Sequence, residues 1–102
     1  MRFRRGRRRR RVRIEYIPCI FQFMPIPAIS DEVIYLDLDE LEALRLVDYE
    51  GLKFDEAAER LKCSKAKVWR LVNSGRKKLI DAVINGKILL IKKEVKDITM
   101  EQ

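Results

Sequence analysis

Residues 54–73, FDEAAERLKCSKAKVWRLVN, hold two short helical patterns that meet at a very brief turn. Helices joined by three or four residues cannot run side by side, so the pair must form a corner. At such a corner the residue facing the partner backbone has to be small, and Ala57 and Ala58 meet that need. Leu61, Cys63, Val68 and Leu71 complete an apolar set at the spacing of a helix-turn-helix, with Cys63 read as packing. Lys62 occupies the turn position where glycine is common, and a left-handed lysine costs about 1 kcal/mol. Ser64 is a good N-cap for the helix that follows. Its stripe Val68, Leu71, Val72, Gly75, Leu79, Ala82, Val83 runs to Asn85-Gly86, and Gly75 within it points to a close helix contact.

The corner sits inside a chain of 102 residues, enough for one domain with a tail. Residues 1–13, MRFRRGRRRRRVR, hold nine arginines and no acid. The remainder carries 14 basic against 16 acidic residues, so the net charge of +7 belongs to the tail. A block of like charge this dense predicts disorder in the free chain. Residues 14–38 read as an extended segment. Val12, Ile14 and Tyr16 alternate, Pro18 interrupts, 25–30 form a loop, and EVIYLDL is a short strand or turn. Residues 39–86 form the helical unit. Asp39 with Glu42 reads as the cap and capping-box partner of a first helix, with Leu41, Leu44 and Val47 or Asp48 on one face and Gly51 as its stop. A second helix covers about 54–61. Residues 87–102 give a strand, KILLIKK, and a frayed end. The expected class is mainly α with short β segments: a helix-turn-helix with flanking N- and C-terminal strands.

Between residues 65 and 78 there are six basic residues and no acid. The first turns of a recognition helix face base edges in the major groove. Ser64, Lys65, Ala66, Trp69, Arg70 and Asn73 are placed for that role, with Lys or Arg favouring guanine and Ala66 suited to a thymine methyl. Lys67, Arg76, Lys77 and Lys78, together with Arg7, Arg8, Arg9, Arg10 and Arg11 of the tail, suit phosphate contact. The bland reading of the same face is solvated surface. Trp69 lies on the shoulder of the apolar stripe and reads equally as core, dimer or DNA contact. Glu50, Asp55, Glu56 and Glu59 look like a solvated acidic face that would keep away from DNA.

LDELEALRLVDYEGL, EAAERL and CSKAKVWRLVNSGRKKLIDAVINGK, in this order after a basic N-terminus and a Pro-containing segment, resemble the domain of unknown function 134 family across residues 12–92. Its members are small prokaryotic proteins predicted to bind DNA, and the corner is also similar to region 4 of bacterial sigma factors. The resemblance implies a DNA-binding role without a known target. Lys53 in place of a Ser-like cap, Lys62 for the turn glycine and the density of the arginine tail depart from the pattern.

The leading expectation is a sequence-specific double-stranded DNA-binding protein, a transcriptional regulator, with helix 65–84 in the major groove and the tail on phosphates or in the minor groove. The alternatives are RNA binding driven by the tail and a protein-interaction module of the transcription machinery. A homodimer is the candidate assembly, with strands 12–23 and 87–92 offering edges. Without His, a nucleophile–base pair or a phosphate loop, the chain does not read as an enzyme. No cofactor, metal or small-molecule ligand is expected. Cys19 and Cys63 give no disulfide framework, and no apolar run reaches the length of a membrane span, so the expected location is cytoplasmic.

Overall fold

The computed structural model describes residues 12–92. The expectations for residues 1–11 and 93–102 lie outside them. The elements in order are β1 (Gln22–Phe23), β2 (Val33–Asp37), α1 (Leu38–Leu44) continuing into a π-helical turn (Arg45–Tyr49), α2 (Phe54–Leu61), α3 (Lys65–Asn85) and β3 (Ile88–Lys92). The molecule is mainly α with a three-stranded sheet, as expected from the sequence.

The sheet order is β1-β3-β2. β3 runs antiparallel to β1, with Gln22 opposite Leu90, and parallel to β2, with Val33 opposite Ile88. Parallel neighbours need a long crossover, and all three helices supply it. Strand 87–92 is therefore central, not an edge. Its continuous apolar run ILLIK suits a strand paired on both sides. The open edges belong to β1 and β2. Within segment 12–26, Gln22–Phe23 pairs as the short edge strand β1. The alternation records burial at Val12 and Ile14 but not at Tyr16, which is 49% exposed. Val12 is buried among the helices, Ile14 packs against both core clusters, and the Arg13 amide donates to the Leu61 carbonyl at 2.8 Å.

The first helix starts two residues earlier than Asp39 predicts. Asp37 is the N-cap residue, and its amide donates to Glu40 Oε1 at 2.9 Å. The sequence LDLDELE carries the Asp-x-x-Glu spacing twice, and burial of Leu38 selects the earlier register. Glu42, the expected capping partner, is instead buried, and both of its oxygens accept from Arg45 at 2.8–2.9 Å. Asp39 is left with a buried Oδ1 that has no hydrogen-bond partner among the described residues. Beyond Leu44 the helix widens to i→i+5 bonding, with the Glu50 amide donating to the Arg45 carbonyl at 2.8 Å. Leu46 in this wide turn is fully buried, a core position the 41-44-47 reading does not include. Gly51, at φ +81°, ends the element as expected.

Two clusters make the core. One joins Val12, Ala43, Leu44, Leu46, Ala57, Ala58, Leu61, Val68 and Val72. The other joins Leu36, Leu38, Ala82, Leu89 and Ile91 under the sheet. Where α1 and α3 touch, Gly75 is buried, and a Cβ built on it would lie 2.7 Å from Leu44 Cδ1. The close contact that the sequence suggested at Gly75 is present.

Candidate nucleic-acid interface

The corner is built from local chemistry. Lys53 cannot cap α2 with its side chain, but its amide donates to Glu56 Oε1 at 2.8 Å, the glutamate half of a capping box. Ala57 and Ala58 are buried against α3. At the far end Lys62 adopts the left-handed conformation, φ 61° and ψ 46°. Its amide reaches the Glu59 carbonyl, and the Cys63 amide reaches the Ala58 carbonyl at 3.1 Å. This 6→1 and 5→2 pair is a Schellman ending with lysine in the glycine position. The turn is thus ordinary in geometry and carries the lysine strain. Ser64 Oγ accepts from the Lys67 amide at 3.0 Å and starts α3. Cys63 is half-buried against the helical core, and burial pushes its thiol pKa up, in keeping with a packing role.

On the solvent face of α3, Lys65, Ala66, Trp69, Arg70 and Asn73 are exposed together. Trp69 is 57% exposed and belongs to neither core cluster. Asn73 Nδ2 donates to the Trp69 carbonyl at 2.8 Å. The phosphate candidates on the body separate into two groups. Lys77 is exposed and Lys67 half-buried. Arg76 is held by Asp48 through bonds of 2.7 and 3.1 Å, and that guanidinium keeps the Asp48 carboxyl below its ordinary range. Lys78 donates to the buried Glu40 at 2.7 Å, and the Ser74 hydroxyl binds the same carboxylate. Arg76 and Lys78 therefore tie α3 to the first helix and its π turn. The acidic residues Glu50, Asp55, Glu56 and Glu59 are exposed around the start of α2, as the sequence suggested.

One part of the site escapes the sequence reading. Val12 is buried in the helical cluster, and the Arg13–Leu61 bond fixes the chain beside the turn. The residues preceding Val12 thus join the body at the corner itself. Glu15 secures the same segment. It takes Arg60 at 2.6 Å and Arg45 at 3.3 Å, and its amide donates to Glu42 Oε2 at 3.0 Å. The sequence signals were the alternation at Val12 and Ile14 and a single acid just after a run of arginines.

These features define a small, mainly helical domain that presents a two-helix corner, with its N-terminal segment fastened at the turn. The chain belongs to the family described as "Protein of unknown function DUF134", whose model matches residues 1–98. It is 46% identical over 89 residues to a UPF0251 protein of Archaeoglobus fulgidus, covering 87% of this chain and 85% of that protein. A UPF0251 protein of Pyrococcus furiosus is 42% identical over 93 residues, covering 88% and 86%. One from Thermoanaerobacter pseudethanolicus is 43% identical over 77 residues, covering 72% and 64%. No solved structure matches. Among the described residues, no helix is long and apolar enough to cross a membrane.

Proposed function

We propose that the protein is a sequence-specific double-stranded DNA-binding protein that acts in transcription regulation. In this reading α2 and α3 form a helix-turn-helix. The first turns of α3 enter the major groove, with Lys65, Ala66, Trp69, Arg70 and Asn73 toward base edges. The observation that carries the reading is the anchoring of Val12 and Arg13 at Leu61, directly before the turn. It roots nine arginines at the N-terminal end of an exposed helix face that bears bases and no acid from 65 to 78. Arginine forks grip phosphate and fit a narrow minor groove, so tail and helix would act on adjacent features of one duplex. Among the body residues, Lys77 is the phosphate contact this reading retains. Arg76 and Lys78 act through their ion pairs to hold α3 in place.

Selection of bound sequences from a random duplex pool tests the reading. A consensus is expected. Equal recovery of all sequences, or stronger binding to structured RNA of equal charge, would favour the tail-driven RNA alternative.

A further inference from the structure

The solvent face of α3 changes chemistry along its length. Residues 65–77 carry Lys65, Arg70 and Lys77, whereas the last turns expose Ile80 (54%), Val83 (78%) and Ile84 (73%). These three share one helix face, at i, i+3 and i+4. Single exposed isoleucines are ordinary, but a contiguous patch on a small protein is not. This patch continues past Val83. Between α3, the sheet and segment 16–25 lies an apolar hollow of about 770 Å³, whose lining includes Val83, Ile20, Phe23 and Met24. Ile20, Phe23 and Met24 are themselves about half exposed.

We infer that a second copy of this chain covers this patch, pairing α3 with α3 antiparallel about a two-fold axis near Ile80–Ile84. Area is the argument. The six side chains Ile20, Phe23, Met24, Ile80, Val83 and Ile84 leave on the order of 500 Å² of apolar surface in solvent. A standard interface takes about 800 Å² from each partner, somewhat over half of it apolar, so the patch is the size one partner must supply. From Trp69 to an axis near residue 82 is about 20 Å along the helix at 1.5 Å per residue, so the basic stretch of α3 stays outside the contact.

The test is sedimentation of the full chain at about 1–50 μM, a range that spans affinities typical of specific association. It is run alongside the double variant Ile80→Glu, Ile84→Glu and a control, Tyr35→Glu, on the outer face of the sheet. Circular dichroism checks that each variant keeps its helices. The wild type and the control are expected to be dimers, and the double variant a monomer with dimer affinity reduced at least about tenfold. A wild type monomeric throughout, with and without duplex, overturns the inference. So does a dimer that survives the double variant while the control dissolves it. A dimer abolished by the double variant but without sequence preference upholds the interface and overturns the DNA-binding reading alone.

Discussion

Glu15 Oε1 lies 2.6 Å from Arg60 Nη2, joining the segment that leads out of the arginine tail to the last turn of α2. The Arg60 bond holds the Glu15 carboxyl below its ordinary value of 4.5, and the Arg76 bond holds Asp48 below 3.8. A carboxylate with a depressed folded pKa stabilises fully above its unfolded value and loses that contribution as pH falls through the folded one. Thermal stability should therefore drop below about pH 4, and Glu15→Gln combined with Asp48→Asn should flatten that drop. A melting series from pH 7 to pH 3 checks it. Identical curves for wild type and double variant would contradict the assigned pairs.

Asp39 should behave in the opposite sense. Burial, with Asp37 and Glu40 nearby, raises its pKa, so the fold is penalised where Asp39 is charged and relieved as pH falls. Asp39→Asn is expected to raise the melting temperature at pH 7, with the gain shrinking toward pH 4. A loss at pH 7 would mean that the charge is needed where it sits.

Gly75 sits opposite Leu44. Alanine there gains about 1 kcal/mol of helix propensity, but its Cβ would meet Leu44 Cδ1 at 2.7 Å. Overpacking costs about 1–3 kcal/mol, so a net loss of about 1 kcal/mol is expected. In a Leu44→Ala background the same change should become stabilising. Denaturant melts of the four proteins in this cycle decide the matter.

Lys62 bears the left-handed conformation that closes α2. Lys62→Gly removes its strain and is expected to stabilise by about 0.5–1 kcal/mol, a rise of a few degrees in melting temperature for a domain of this size. No change would indicate that the lysine side chain gains as much in the fold as its backbone loses.

The helices around the corner were legible because their ends are decided locally. Ser64, Gly86 and Gly51 mark boundaries that need no distant partner. The start of α1 was not, since Asp37-x-x-Glu40 and Asp39-x-x-Glu42 offer the same spacing and burial of Leu38 makes the choice. The central place of β3 depends on two strands far off in sequence. The ion pairs Arg76–Asp48 and Lys78–Glu40 cross between elements 28 and 38 residues apart, so a basic helix face looked uniformly available in the sequence. The anchor at Val12 was written as an alternation, but the surface it packs against was not.

The reading of α3 as a base-contacting helix is tested most directly by Arg70→Ala, compared on the selected duplex and on random duplex at one salt concentration. A loss of about 1–3 kcal/mol on the selected duplex alone is expected. Deletion of residues 1–11 should weaken both duplexes alike and flatten a log K against log salt slope of about −5 to −8, the value for about 6–9 neutralised phosphates. Equal losses on both duplexes from Arg70→Ala would show that α3 does not read sequence.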